Sequence, residues 1–291
     1  MQSAAAAAIR TWETGGRVAE IGGRRIFVLE AGDPSAAAIV LLHGFPSSSF
    51  DWRSVVPGLA EGARVVAFDF PGYGLSEKPF DGRYSLFEQA DVAEAVVAAA
   101  GIERCVLVGH DMGDTVATEL LARATEGRLG FEVERTILLN GSIFIDLAQL
   151  SPGQQALLSM PDEVLPQPMP LEMFRPGLAA TFSEEHPASE EDLDGIVEMV
   201  RRSDGDRLLP RLIRYIEERR ANQPRWTSGL VDHPAPLTLL WGARDPIAVV
   251  AMTERLRELR PSTEVVVWDD VGHWPTLEAP DRVVAEVRAR R

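Results

Sequence analysis

The chain has 291 residues and a mass of 31.8 kDa, which suits one large α/β domain or a core domain with a sizeable insertion. Its hydrophobic residues (45%) and charged residues (25%) are close to globular averages and exclude bulk disorder. The formal net charge of −15 repels phosphate backbones and anionic lipid, so it argues against nucleic-acid binding and against binding at a membrane surface.

The N-terminus and the cysteine content bear on the compartment. The single cysteine, Cys105, excludes an intramolecular disulfide framework and a cysteine-based zinc cluster. No stretch reaches the roughly 18 uninterrupted apolar residues that a membrane span needs. The run Ala4 to Ala8 lacks the basic region and the long apolar core of a secretory signal. We therefore expect residues 1–16 to form a loose leader and the protein to be soluble and cytoplasmic.

The first half of the chain alternates short apolar runs with amphipathic segments. A hairpin is predicted around Gly22-Gly23, because two strand-like runs flank these glycines. The predicted strands are Val18–Ile21, Arg25–Leu29, Ala38–Leu42, Arg64–Phe68, Cys105–Val108 and Thr136–Leu139. Helical spacing of apolar residues predicts helices at 86–100 and Met112–Ala124.

The alternation stops between about 142 and 232 and then resumes, with strands at Leu237–Trp241 and Glu264–Trp268 and helices at about 248–259 and 280–290. Strands that are apolar throughout and alternate with helices indicate a mostly parallel sheet covered on both faces. The interrupting segment is rich in proline, methionine and leucine, and its clearest helices are predicted at Asp192–Arg202 and Asp206–Arg220. We predict an α/β core at 1–141 and 233–291 with a helical cap inserted at 142–232; a mobile proline-rich linker is the alternative.

The most informative motif is Gly109-His110-Asp111-Met112-Gly113, which follows an apolar strand and opens a helix. This context predicts a nucleophile elbow, a strained turn that exposes one side chain near a helix N-terminus. Carboxylate attack on a carboxylic ester gives an anhydride, whereas attack on sp3 carbon gives an alkyl ester that water can hydrolyse. Asp111 therefore predicts an electrophilic carbon with a leaving group, either an epoxide or a carbon–halogen bond. A helix N-cap is the purely structural interpretation of Asp111.

A base and an acid are expected downstream of this nucleophile. His273 follows the last predicted strand, and the chain order nucleophile, acid, histidine leaves Asp245 as the acid at the end of the preceding strand. The competing carboxylates are Asp69, which we expect to order its own loop, and Asp269 and Asp270, which are close to His273 in the chain.

An oxyanion hole and a pocket complete the expected site. Backbone N–H groups after the nucleophile and after an early strand point to Met112 and Phe45. The substrate pocket is expected to include Phe144, Trp226 and Trp274, and its apolar side chains predict an apolar substrate. His43 and His110 are interpreted as loop-packing residues.

These residues resemble the α/β-hydrolase fold superfamily, in its branch of epoxide hydrolases and haloalkane dehalogenases, over nearly the whole chain. The resemblance rests on five motifs: His43-Gly44-Phe45-Pro46, Asp69-Phe70-Pro71-Gly72-Tyr73-Gly74-Leu75-Ser76, Gly109-His110-Asp111-Met112-Gly113, Gly242-Ala243-Arg244-Asp245-Pro246 and Gly272-His273-Trp274-Pro275. A closer resemblance, to mesoderm-specific transcript protein-like hydrolases, rests on segments such as Ser85–Ala90 and Leu139–Phe144. That subgroup carries no well-defined reaction.

The resemblance also implies leaving-group machinery. Dehalogenases of this branch usually place a Trp after the nucleophile and often an Asn after His-Gly, where this chain has Met112 and Phe45. Epoxide hydrolases usually use two cap tyrosines, and the insertion contains one, Tyr215, with His186 as a weak candidate for the second donor.

The charged stretch near Tyr215 is interpreted as structural rather than functional. The arginines Arg219, Arg220 and Arg225, with Glu217 and Glu218, are predicted to form a solvated helix face.

The sequence thus predicts an α/β-hydrolase with an aspartate nucleophile, most simply an epoxide hydrolase, that uses no cofactor and no metal. The alternatives are a haloalkane dehalogenase and a non-catalytic binding protein on a hydrolase scaffold. The expected partner is an apolar small-molecule substrate, with no nucleic acid and no membrane; a homodimer is left open.

Overall fold

The computed structural model describes residues 4–291 and contains one eight-stranded sheet in that range. The strands are β1 (Arg17–Ile21), β2 (Arg24–Ala31), β3 (Ala38–Leu42), β4 (Arg64–Phe68), β5 (Arg104–His110), β6 (Glu132–Leu139), β7 (Leu237–Gly242) and β8 (Glu264–Trp268). Their order is β1-β2-β4-β3-β5-β6-β7-β8. Strands β3 to β8 pair in parallel, and the β1–β2 hairpin adds antiparallel to β4. The predicted mostly parallel sheet is confirmed.

Burial on both faces explains why the central strands are apolar at every position. All five residues of β3 are buried. Val40 and Leu42 pack into one hydrophobic cluster, while Ile39 and Leu41 pack into the other on the opposite face. Successive side chains of a strand point to opposite faces, so a strand covered by helices on both sides must be apolar throughout.

Helices cover the sheet and fill the connection between β6 and β7. Within the described residues they are α1 (Ala4–Gly15), α2 (Val56–Ala60), α3 (Leu86–Ala99), α4 (Met112–Thr125), α5 (Pro152–Ser159), α6 (Arg175–Ala179), α7 (Glu190–Arg201), α8 (Leu209–Leu212), α9 (Tyr215–Asp232), α10 (Ala251–Leu259), α11 (Pro275–Glu278) and α12 (Pro280–Arg290). None of these helices is long and apolar enough to cross a membrane.

The prediction of a loose N-terminal leader is wrong for the described part of it. Residues 4–15 form α1, because alanine has the highest helix propensity and Ala5, Ile9 and Trp12 lie on one buried face. The ring of Trp12 packs edge-on against Phe50, with 6.2 Å between centroids. Residues 1–3 lie outside the described residues.

The insertion is helical, but its central helix differs from the prediction. The expected helix at Asp206–Arg220 is instead a 3₁₀ stretch (Arg202–Leu208), then α8, then α9. Pro210 has no N–H to donate and so occupies the first turn of α8 rather than a helix interior. Tyr215 is therefore the first residue of α9, which runs on to Asp232. The division into a core and a separate cap domain stays a prediction.

Candidate active site

The predicted elbow lies between the end of β5 and the start of α4. Asp111 has φ 50° and ψ −110°, a strained conformation for a residue other than glycine. Its side chain makes no capping hydrogen bond, so the N-cap interpretation does not explain the residue. A Cβ at Gly113 would lie 2.3 Å from the carbonyl oxygen of Leu42, and one at Gly44 would lie 2.7 Å from Cβ of Asp111. The glycines let the backbones approach closely enough to form the turn.

The Asp111 carboxylate is held by the main chain after β3. The amide of Phe45 donates to Oδ2 of Asp111 at 2.9 Å, and Asp111 is 2% exposed. An oxyanion hole needs two N–H donors directed at the oxygen that becomes charged. The Phe45 amide, which faces a carboxylate oxygen of Asp111, has the position expected of one of them. Met112 occupies the first turn of α4, and the role of its amide as the second donor stays a prediction.

The other two predicted catalytic residues are bonded to each other. Nδ1 of His273 lies 2.8 Å from Oδ2 of Asp245. Oδ1 of Asp245 accepts hydrogen bonds from the amides of Ile247 and Ala248, at 2.7 and 3.1 Å. The carboxylate is thus oriented from one side by backbone donors and presents its other oxygen to the imidazole.

Asn140, at the end of β6, is a residue whose role the sequence reasoning missed. Its Nδ2 donates to Oδ2 of Asp245 at 2.9 Å and to the carbonyl of Gly242 at 3.1 Å, while its Oδ1 accepts from the amide of Gly242 at 2.8 Å. Asn140 also has a positive φ of 44°. An asparagine directly after a strand, in the left-handed region, is the sequence feature that could have suggested this anchoring role.

Charge around His273 governs its protonation. Burial opposes the imidazolium, but the carboxylate of Asp245, its hydrogen bond and the charge of Asp111 outweigh burial and raise the pKa of His273 to about 9. Neutralising Asp111 would remove one of these contributions and lower the pKa of the imidazole.

His110 and His43 pack loops, as expected. Burial and the neighbouring charge of His273 lower the pKa of His110 to about 4, so its neutral ring donates from Nε2 to the carbonyl of His273 at 2.8 Å. His43 accepts from the amide of Phe70 through Nε2 at 3.0 Å.

The competing carboxylates and His186 are occupied elsewhere. Asp69 accepts from the amides of Ser49 and Leu75, which orders its loop as expected. Asp270 pairs with Arg282 and with Nε2 of His186 at 3.0 Å. His186 is thus engaged in a partly exposed hydrogen bond with Asp270, which corrects its candidacy as a second leaving-group donor.

A cavity of about 430 Å³ opens beside these residues and is mainly apolar. Its wall includes Phe45, His273 and Trp274 together with residues of α5 and α6. Phe144 and Trp226, which were expected in the pocket, do not line it: Trp226 donates its indole N–H to Glu119 at 3.0 Å, and Phe144 packs under Arg255. Trp226 is buried against α4 and Phe144 against α10, tertiary contacts that their aromatic character could not reveal.

Tyr215 lies close to the site. It is 2% exposed, and its ring centroid is 5.5 Å from that of Phe45. The prediction that Arg219 lies on a solvated face is wrong: the side chain is 2% exposed, donates from Nη2 to the carbonyl of Asp111 at 2.9 Å and from Nε to the hydroxyl of Thr115 at 2.6 Å. Arg219 turns inward because α9 packs along α4, and that docking is a tertiary contact.

The rest of the charged stretch is divided: Arg220 and Glu217 are exposed, as predicted, whereas Glu218 and Arg225 contact the core. Arg225 binds Glu119 and Glu126 of α4, so this face of α9 is an interface between the insertion and the core.

Among residues 4–291, no cluster of three or more His, Cys, Asp or Glu side chains is arranged to hold a metal ion.

Comparison with known proteins agrees with this architecture. The sequence matches the "Alpha/beta hydrolase family" over residues 39–286. It is 42% identical to "Putative hydrolase LipZ" of Mycobacterium tuberculosis over 94% of each chain, and 34% identical to the mesoderm-specific transcript homolog protein of Bos taurus over 94% of this chain and 84% of the relative. It is also 42% identical to the soluble epoxide hydrolase of a Corynebacterium species over 99 residues, about a third of each chain. The fold, the family match and these relatives together establish that the chain belongs to the alpha/beta hydrolase family.

Proposed function

We propose that this hydrolase opens epoxides to diols through a covalent ester on Asp111. The observation that carries the proposal is the carboxylate at the elbow, held by the amide of Phe45, whose ring packs against the buried ring of Tyr215. The local likeness to a soluble epoxide hydrolase supports the same class of reaction. Because the cavity wall is mainly apolar, the substrate is an apolar small molecule.

In the first step a carboxylate oxygen of Asp111 attacks an epoxide carbon, and the carbon–oxygen bond of the ring breaks. The departing oxygen takes the electron pair and the proton of the Tyr215 hydroxyl. The products are an alkyl ester on Asp111 that carries a free hydroxyl, and a phenolate on Tyr215.

In the second step water attacks the carbonyl carbon of the ester and gives a proton to His273. The amides of Phe45 and Met112 stabilise the tetrahedral oxyanion. Collapse passes the remaining proton of the attacking water to the departing oxygen, which releases the diol and restores the Asp111 carboxylate and the His273 imidazolium.

The ester also prepares the base for its task. Before the reaction, the Asp111 charge contributes to the raised pKa of His273, near 9, which favours imidazolium. Alkylation makes Asp111 neutral, so the pKa of His273 falls and the imidazolium gives up its proton, which returns through solvent to the Tyr215 phenolate. The neutral imidazole can then accept a proton from water. The chemistry of the first step thus activates the second.

The engagement of the indole groups favours an epoxide over an alkyl halide. Trp274 donates its indole N–H to the hydroxyl of Thr181 at 2.7 Å, and Trp226 donates to Glu119. Neither indole is free to hold a halide, whereas the phenol of Tyr215 suits a departing oxygen. The bonded pair of His273 and Asp245 argues against a purely binding role, which needs neither residue.

The test is the intact mass of His273→Gln after incubation with matched sets of terminal alkyl epoxides and 1-bromoalkanes. Without its base the variant should accumulate the ester, with an added mass equal to the whole epoxide. The control is Asp111→Ala combined with His273→Gln, which should gain no mass. An adduct equal to the alkyl group of the bromoalkane alone would replace the proposal with dehalogenation, and no adduct from either set would contradict the covalent mechanism.

A further inference from the structure

Glu278 is a buried carboxylate at the end of α11, the short helix that follows the catalytic histidine. Its Oε2 accepts hydrogen bonds from the amides of Gly272 and Ser183, at 2.7 and 3.0 Å, and its Oε1 accepts one from the amide of Trp274 at 2.9 Å. An ionised carboxylate is an acceptor only and has room for three such donors. Two of the three donors, Gly272 and Trp274, are the residues on either side of His273.

The backbone of His273 itself is also fully bonded. Its N–H donates to the carbonyl of Thr181 at 2.9 Å, and its carbonyl accepts from Nε2 of His110 at 2.8 Å. Asp245 holds the imidazole through Nδ1. The ring is therefore fixed by one carboxylate, Asp245, and the backbone before and after it by another, Glu278.

Three parts of the chain meet closely at Gly272. A Cβ there would lie 2.7 Å from the amide nitrogen of Ser183, 2.8 Å from the carbonyl oxygen of Thr181 and 2.9 Å from Oε1 of Glu278. The φ of Gly272 is not positive, so it is this close approach, and not the backbone conformation, that requires a glycine. The histidine loop, α11 and the insertion are thus in direct contact at this point.

The same contacts reach the wall of the cavity. Thr181 lines the cavity, its hydroxyl accepts the indole N–H of Trp274 at 2.7 Å, and it donates to the carbonyl of Leu178 in α6 at 2.6 Å. Leu178 and Trp274 line the cavity as well. The wall that the insertion contributes and the loop that carries His273 are therefore joined by hydrogen bonds.

A purely structural role for Glu278, as a cap of α11, explains only part of this arrangement. Capping accounts for the bond from the amide of Trp274, which is the residue before the helix. It does not account for the bonds from Gly272 and Ser183, which lie outside the helix. Burial of a carboxylate is costly unless it is hydrogen-bonded, and here the compensating donors come from the histidine loop and the insertion.

We propose that Glu278 is a positioning residue for the catalytic base: it fixes the backbone on both sides of His273 and ties it to the insertion at Ser183. The inference rests on the proposed function, in which His273 takes a proton from the water that attacks the ester on Asp111. The base must lie within hydrogen-bond reach of that water, and a displacement of about 1 Å can lower a rate about 100-fold. Ester formation does not use the imidazole, so Glu278 should affect ester hydrolysis alone.

The decisive variant is Glu278→Gln, because the amide keeps the shape of the side chain but replaces one acceptor oxygen with a donor. Its matched control is Glu184→Gln, which removes the same charge from an exposed residue next to Ser183. Single-turnover reactions with 1,2-epoxyhexane are followed by intact mass, which gives the rates of ester formation and ester hydrolysis separately. We expect Glu278→Gln to slow hydrolysis about 100-fold and to leave formation within about twofold, and Glu184→Gln to change neither.

A second variant, Gly272→Ala, separates position from charge. It leaves in place the charge of Glu278, which also helps to raise the pKa of His273, but its Cβ must push the histidine loop away from Glu278 and Ser183. We expect it to slow ester hydrolysis about 10-fold and to spare ester formation. Ester hydrolysis at the wild-type rate in Gly272→Ala would overturn the inference, and this result decides the matter if Glu278→Gln does not fold.

A measurement without substrate distinguishes the inference from the function on which it rests. The proton between His273 and Asp245 is observed by NMR, and its exchange with water should be faster in Glu278→Gln than in Glu184→Gln. Equal exchange in the two variants, or equal slowing of both chemical steps by Glu278→Gln, would overturn the inference while the ester mechanism stood. Failure of His273→Gln to gain mass from 1,2-epoxyhexane would overturn the proposed function, and the NMR comparison would still decide the inference.

Discussion

The core and the insertion hold their functional side chains in different ways. Asp111, Asp245 and His273 follow strand ends. Backbone amides hold the two carboxylates, Phe45 for Asp111 and Ile247 and Ala248 for Asp245, and Asp245 in turn holds His273. Tyr215 and Arg219 come from α9 of the insertion, and their positions depend on contacts between side chains, with Phe45 for Tyr215 and with Thr115 for Arg219.

This difference assigns different parts of the reaction to the two regions. In the proposed mechanism the sheet edge carries bond formation at carbon and the activation of water. The insertion forms most of the cavity wall and, in the same mechanism, supplies the acid Tyr215, so we expect it to decide the leaving group and the substrate. A change in the core should therefore stop the reaction, and a change in the insertion should alter which electrophiles react.

The largest expected effect is that of Asp111→Ala. The substitution removes the nucleophile, so turnover should fall by about 10⁴-fold or more. The measurement is steady-state diol formation from an epoxide, with circular dichroism to check that the fold is kept. Turnover within tenfold of the wild-type protein would show that the core does not supply the nucleophile.

The sequence predicted the core of this site well and the insertion poorly, for a physical reason. The elbow, the histidine loop and the strands β3, β4 and β8 follow from local patterns, because strand ends and tight turns impose their residues within a few positions. The burial of Arg219 arises only when α9 docks on α4. Charge patterning along one helix carries no information about such tertiary contacts.

Asp245→Asn should come next in size. The amide can no longer stabilise the His273 imidazolium or fix its tautomer, so turnover should fall by about 10³- to 10⁴-fold. Single-turnover kinetics should show that hydrolysis of the ester is slowed and that its formation is not. A variant slowed chiefly in ester formation would contradict the role assigned to Asp245.

Asn140→Ala tests how much the anchoring of Asp245 contributes to the rate. It removes one hydrogen bond to Asp245 and two to Gly242 but leaves the Ile247 and Ala248 amides in place. We expect the rate of ester hydrolysis to fall by about 10- to 100-fold, because the acid is displaced but still present. A loss as large as that of Asp245→Asn would mean that the backbone amides alone do not orient the carboxylate.

A smaller effect concerns pH rather than rate. In the free enzyme the pKa of His273 is raised to about 9, in part by the Asp111 charge. Asp111→Asn imitates the neutral ester, so its His273 should titrate at a lower pH than in the wild-type protein. Imidazole NMR of both proteins measures the shift, and His233, whose burial lowers its pKa, serves as an unmoved internal control. An unchanged His273 titration would contradict the proposed effect of the Asp111 charge on the base.

The smallest catalytic effect is expected for substitutions in α1, the helix that stands where the sequence predicted a loose leader. Trp12 is buried against Phe50, so Trp12→Ala should lower the free energy of unfolding by about 3 kcal/mol. Thr11→Ala, on the exposed face of the same helix, should change it by less than about 0.5 kcal/mol. Urea unfolding measures both, and kcat should stay the same in both because α1 contributes no residue to the cavity wall. Equal free energies of unfolding for the two variants would show that the packing of α1 does not stabilise the fold. A fall in kcat with Trp12→Ala would show that the packing of α1 affects the active site.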